Sequence, residues 1–117
     1  MTLSRDRHIV TLLGMTTDFS PLITAIKQDV LAIDPFDKLE QNHIDDVADW
    51  MTRTSDVFRI KKPDIPPKHL VSYFVLIDTQ HKSILLCDHI KAQLWLPPGG
   101  HVEPGEHPAD TVRRECI

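Results

Sequence analysis

Three of the four glycines (Gly99, Gly100, Gly105) and four of the nine prolines (Pro97, Pro98, Pro104, Pro108) crowd into the twelve residues 97–108, together with Glu103 and Glu106. Proline fixes φ and withholds a backbone donor, while glycine is used where a side chain cannot be tolerated. Such density therefore specifies a loop of defined backbone shape and excludes a regular helix or a central strand. Pro108 suits the first position of a helix, and Thr111, Val112, Glu115 and Cys116 follow at helical spacing, so the loop feeds a closing helix that carries Arg114 and Glu115. The usual glycine-rich phosphate loops do not fit, because there is neither G-K-S/T nor a G-x-G-x-x-G after a strand. A loop rich in carboxylates repels phosphate unless a cation sits between them, and this points to a divalent metal.

A second proline cluster, Pro63, Pro66 and Pro67, divides the chain. The division predicts a helical N-terminal segment (1–62), a proline-rich linker (63–68) and a C-terminal segment (69–117). Before the linker, Ser20 is expected to cap a helix from Pro21 to about Ile33, with Leu22, Ile26 and Val30 at four-residue spacing. Ile44, Val47, Ala48 and Met51 mark one face of a second helix, about Asn42 to Arg53, with Trp50 read as core. A further helix is expected at Arg5 to Leu13. After the linker the period changes. Leu70 to Ile77 reads as a strand buried on both faces, Asp78 to Lys82 as a polar turn, and Ser83 to Asp88 as the returning strand of a hairpin. Trp95 is expected to pack and anchor the loop.

At 117 residues, 41% hydrophobic and 26% charged, the chain can bury one modest core and is neither collagen-like nor disordered. A net charge of -4 argues against a broad nucleic-acid or anionic-membrane footprint. The longest apolar run, Tyr73 to Ile77, falls far short of the ~20 residues a membrane helix needs. Arg5 and Arg7 precede the apolar stretch Ile9 to Met15 as in a signal peptide, but Thr11 interrupts it and no small-residue cleavage site follows, so a cytoplasmic location is expected. Cys87 and Cys116 are not a disulfide framework and are expected to be reduced and buried. His101 and His107 flank the glutamates, yet a zinc site needs better grouped ligands.

The run L-W-L-P-P-G-G-H-V-E-P-G-E-H-P-A-D-T-V-R-R-E-C-I resembles the Nudix hydrolase signature, G-x(5)-E-x(7)-R-E-U-x-E-E-x-G-U, where U is bulky and aliphatic. Gly100 takes the first position, Glu106 follows at the required spacing, and Arg114 and Glu115 form the R-E pair. The resemblance extends from about Leu70 to Ile117. It implies an α/β chain in which the helical segment precedes the first part of a Nudix α/β/α sandwich with a mixed sheet. It also implies Mg2+ or Mn2+, attack of metal-activated water on a phosphorus of a diphosphate linkage, and a small nucleotide or related diphosphate as substrate. By resemblance, Gly100 (through its carbonyl) and Glu115 are metal ligands, and Glu115, Arg114 and Glu106 are the catalytic set. Arg114 orients Glu115, and Glu106 supports the metal site.

The sequence departs from the signature at Cys116, where an aliphatic residue is expected, and at Ile117 it stops before E-E-x-G. Glu115 and the two absent glutamates would share one helix face at i, i+3 and i+4. The expectation is therefore a chain truncated within the signature and inactive alone, with exposed strand edges that favour a homo-oligomer. The rival reading is a non-catalytic binding or interaction module on a shortened Nudix scaffold.

Overall fold

The computed structural model describes residues 3–4, 9–12 and 15–116. The chain opens with β1 (Leu3–Ser4), β2 (Ile9–Leu12) and β3 (Met15–Asp18), an antiparallel sheet in the order β1-β2-β3, with Val10 opposite Leu3 and Thr17. The helix expected over Arg5 to Leu13 is thus a strand at Ile9–Leu12, while residues 5–8 and 13 lie outside the described residues. Ile9, Val10 and Thr11 are β-branched and lose rotamer freedom in a helix, and pairing with β3 favours the extended form.

Helix α1 (Ser20–Leu31) carries Pro21 in its first turn, as expected, but Ser20 is already helical and Phe19 occupies the cap position. The capping role passes two residues outward: the Asp18 carboxylate accepts the Ser20 N–H at 2.9 Å and its hydroxyl at 2.7 Å. Helix α2 (Lys38–Arg53) starts earlier than its apolar periodicity suggests, because Asp37 caps it by accepting the Glu40 N–H at 2.8 Å. The predicted face is the one that packs, since Ile44, Ala48, Trp50 and Met51 are buried.

From α2 the chain enters the core directly. Val57 and Phe58 are fully buried and join Ile23, Ile26, Trp50 and Met51 in one cluster, which also takes in Val102 from the glycine-rich loop. Burying side chains of this size contributes roughly 1.5–3 kcal/mol each. Hydrogen bonds follow the same path: Leu70 N–H donates to Val57 O at 2.7 Å, and Val102 N–H to Leu70 O at 3.1 Å. Lys68 ties the far end of the proline stretch to α2, through Asp46 at 3.2 Å and the Trp50 ring at 5.1 Å. One core therefore spans the helices and the loop. The proline stretch is a tight turn in which Ile60 N–H donates to Ile65 O at 2.8 Å and Ile65 N–H to Lys61 O at 3.0 Å.

Beyond it the strands are short: β4 (Val71–Tyr73), β5 (Ile77–Asp78), β6 (Ser83–Ile84), β7 (Cys87–His89), β8 (Leu94–Leu96) and β9 (Gly99–His101), followed by α3 (Pro108–Glu115). They pair antiparallel as β4-β9, β5-β6 and β7-β8. The hairpin expected around Asp78 to Lys82 is present, with Ile77 opposite Ile84. Leu70 to Ile77 is not one strand buried on both faces: it breaks after Tyr73, and Val71, Tyr73, Val75 and Ile77 are exposed, because among the described residues no element covers their outer face. The returning strand also divides, so that Cys87–His89 pairs with Leu94–Leu96. The cysteines are free as expected but exposed rather than buried, and Trp95 is 66% exposed rather than packed. These residues lie on the same uncovered ribbons or at the end of α3, whereas Trp50 sits in the core. Helices and small antiparallel strand pairs together make a mixed α/β chain. No helix among the described residues is long and apolar enough to cross a membrane.

Candidate active site

The loop and α3 are positioned by two opposite demands of the backbone. His107 caps α3 with its ring Nδ1, which accepts the Ala109 N–H at 3.0 Å, and Pro108 follows in the first turn. Gly105 adopts φ +80, a left-handed conformation open to glycine, and a Cβ there would meet the Phe19 ring at 2.9 Å. The loop is thereby pressed against the start of α1, where Phe19 stacks edge-on to Phe58 at 5.6 Å.

Arg114 gathers the acidic residues. Its guanidinium grips Glu106 with two bonds, Nε to Oε2 at 2.9 Å and Nη2 to Oε1 at 3.0 Å, and its Nη1 donates to Glu115 Oε1 at 2.8 Å. Nη2 also donates to the His101 carbonyl at 3.1 Å, while Glu103 lies at 3.8 Å. Glu106 further accepts the hydroxyl of fully buried Thr111 at 2.6 Å and the Glu103 N–H at 3.2 Å. The Arg114 bonds hold the Glu106 carboxyl down to about 2, against partial burial that raises it, with Thr111 and the Glu103 amide adding to the effect. The same contacts push Arg114 further up, so it stays charged.

The strand register decides which backbone oxygens are available. Phe74 N–H donates to Pro98 O at 3.0 Å and Val102 N–H to Leu70 O at 3.1 Å, and Ser72 lies opposite Gly100 between these two pairs. Hydrogen-bonded and non-bonded pairs alternate in an antiparallel ladder, so the Gly100 carbonyl engages Ser72, and the Gly99 and His101 carbonyls point outward from β4. The Arg114 bond to the His101 carbonyl agrees with this parity. On the face of Gly100 that a side chain would occupy lies the Glu115 carboxylate.

Gly99, Gly100, His101 and Glu115 stand where two clefts meet. The first, about 440 Å3, is walled opposite them by Arg59, Ile60, Lys61 and Lys62. The second, about 410 Å3, is lined on its far side by Val71, Tyr73, Cys87, His89 and Leu96. His101 is held by a short relay. Its Nδ1 lies 2.9 Å from His69 Nε2, and His69 Nδ1 lies 2.7 Å from the Pro66 carbonyl. That carbonyl can only accept, so in the neutral pair His69 donates to it and accepts from His101, leaving a lone pair on His101 Nε2. Burial first, then Arg59 and His69, lowers the His101 pKa.

The four residues singled out from sequence, Gly100, Glu106, Arg114 and Glu115, therefore come together. His107 does not join them: its Nε2 faces Asp29 at 3.0 Å. Among the described residues no three His, Cys, Asp or Glu gather as a ready-made metal cluster. Thr111, the His69–His101 pair and the basic wall were not anticipated. Only the run Arg59-Ile60-Lys61-Lys62 left a trace in the sequence, as a local basic excess in an acidic chain.

The NUDIX domain family model matches residues 67–117, the segment that supplies β4 through α3. Neither a curated protein nor a solved structure matches the chain significantly.

Proposed function

We propose that this chain carries the site of a Nudix-type hydrolase, whose substrate is diphosphate-linked and nucleoside-derived or related. The observation that carries the reading is the single guanidinium of Arg114 bridging Glu106 and Glu115, with the Glu115 carboxylate laid against Gly100 at the junction of two clefts. The donor set suits Mg2+ or Mn2+, which take carboxylate, carbonyl and water oxygens. Glu115 would hold the ion together with a strand carbonyl. The resemblance names that of Gly100, and the outward-facing carbonyl of Gly99 is a neighbouring donor. When bound, the ion supplies charge neutralisation at the phosphate and a more acidic water.

The chain's own residues do the rest. Glu115 offers a charged oxygen at the cleft, Arg114 fixes its direction, and Glu106 keeps Arg114 in place. With two bonds from Arg114 and one from Thr111, Glu106 is a positioning residue rather than a proton carrier at neutral pH. The exposed free thiols of Cys87 and Cys116 favour a reducing, cytoplasmic setting.

The test is hydrolysis of nucleotide sugars, dinucleotides and nucleoside triphosphates with Mg2+ or Mn2+, by the wild type and by Glu115→Gln. Metal-dependent turnover that falls at least ~100-fold in the variant supports the reading. Equal rates in both would overturn it. Because no three-ligand cluster forms among the described residues, a second reading stands: a non-catalytic diphosphate-binding module, selected by binding without turnover.

A further inference from the structure

The first cleft has walls of opposite character. On one side stand Glu115, Glu103 and the compensated Arg114, and on the other Arg59, Lys61 and Lys62 within four residues of a chain whose net charge is -4. Among the described residues all four of the other cations that pair with carboxylates stand outside this wall, Arg53 with Asp49, Lys68 with Asp46, Arg113 with Asp110 and Arg114 with Glu106, while Lys27, Lys38, Lys82 and Lys91 are scattered singly along the chain. Among the described residues no carboxylate lies in ion-pair contact with Arg59, Lys61 or Lys62, and Asp64 in the same turn is no exception. The wall is also fixed in place. Arg59 Nη1 donates to the Pro63 carbonyl at 3.1 Å, Ile60 and Lys61 N–H both donate to Ile65 O, and the His69–His101 bond ties the end of the proline stretch to β9. The second cleft carries no lysine or arginine.

We propose that Arg59, Lys61 and Lys62 form a docking site for the terminal phosphate of the diphosphate substrate. The anionic end enters the cleft between the proline turn and β9, the linkage faces Glu115, and the less charged remainder extends toward Tyr73 and Leu96. This proposal rests on the diphosphate reading above. Three cations within four residues, none in ion-pair contact with a carboxylate among the described residues, stand opposite a carboxylate site and supply a local attraction for an anion in an acidic chain. Guanidinium and ammonium groups both make charge-assisted bonds to phosphate oxygens, and because backbone bonds hold the turn, only the lysine side chains have to order when it binds.

The test uses sodium pyrophosphate as the probe, titrated calorimetrically in excess Mg2+ into the wild type, Lys61→Ala/Lys62→Ala and Lys61→Arg/Lys62→Arg. Circular dichroism checks the fold of each. Binding that weakens at least about tenfold in the alanine pair, survives in the arginine pair and falls steeply with added salt is the expected result. Unchanged affinity in the alanine pair would overturn the proposal, as would no pyrophosphate binding by the wild type at millimolar concentration. Glu115→Gln separates the two layers. If Mg2+ dependence vanishes in Glu115→Gln while the alanine pair binds normally, the docking site is wrong and the hydrolase reading stands. If the alanine pair loses binding while Glu115→Gln keeps full Mg2+ dependence, the docking site stands and the role of Glu115 is wrong.

Discussion

The carboxylate of Glu115 lies against the Cα of Gly100. A Cβ at position 100 would run into Oε1 of Glu115, and would stand 2.5 Å from its Cδ and 2.9 Å from its Cγ. The glutamate cannot simply swing aside, because Arg114 holds Oε1 at 2.8 Å and is itself held by Glu106. Gly100→Ala is therefore expected to displace the carboxylate and cost about 1–3 kcal/mol of stability. Any metal-dependent turnover should fall by on the order of 100-fold, as expected when a reacting group moves by an ångström. Thermal melting and hydrolysis assays on the variant check both effects, and wild-type behaviour in both would show that Glu115 is not fixed by this contact.

Glu106 gives the fold a defined acid sensitivity. Its carboxyl falls from the ordinary 4.5 to about 2, chiefly through Arg114. Because the folded value lies below the unfolded one, the stabilisation is fully present above the unfolded value and is lost as pH falls from 4.5 toward about 2. With Arg114 partly exposed, the contribution is discounted to on the order of 2 kcal/mol. Denaturant melts from pH 6 to about pH 2 should show this loss in the wild type. Glu106→Gln should be less stable at neutral pH and flatter with pH. Parallel curves for the two proteins would mean that the Arg114–Glu106 pair adds nothing to stability.

The shared core predicts that the helices and the signature loop unfold as one unit. Phe58 is fully buried between Phe19 of the α1 entry and Val102 of the loop, so Phe58→Ala should cost about 3–5 kcal/mol. In wild type and variant alike, α-helix circular dichroism and the emission of buried Trp50, read in a Trp95→Phe background, should change in a single coincident transition. Pyrophosphate binding should disappear over the same range. Separate transitions would show that the proline turn divides two independent folding units.

What could be read from the sequence was whatever is encoded locally. Proline at a first helical turn announced α1 and α3, the i, i+3, i+4 pattern of Ile44, Val47, Ala48 and Met51 announced α2, and the spacing of Gly100, Glu106, Arg114 and Glu115 put the acidic site on the page. Features that depend on what arrives from elsewhere were not legible. An apolar run such as Leu70 to Ile77 shows that burial would be favourable, but not whether anything covers it. Capping by Asp18 instead of Ser20 turns on one φ/ψ pair at Phe19. The basic wall reaches Glu115 only because the proline turn folds Lys61 and Lys62 back across more than fifty positions of sequence.

The uncovered ribbons carry the last prediction. Tyr73, Ile77, Ile84, Leu94 and Trp95 are each more than half exposed, and among the described residues β5-β6 and β7-β8 pair only two by two. Short ribbons with open edges and contiguous apolar side chains are not stable alone in water and favour pairing with another chain. The protein is therefore expected to self-associate at micromolar concentration, with a melting temperature that rises with concentration. Ile77 and Ile84 stand opposite each other in the register, so Ile77→Lys with Ile84→Glu replaces an apolar cross-strand pair by an ion pair and removes apolar contact surface while keeping the hairpin. Light scattering across a dilution series should find the double variant shifted toward monomer. A wild-type monomer with a concentration-independent melting temperature would show that these ribbons are stable without a partner.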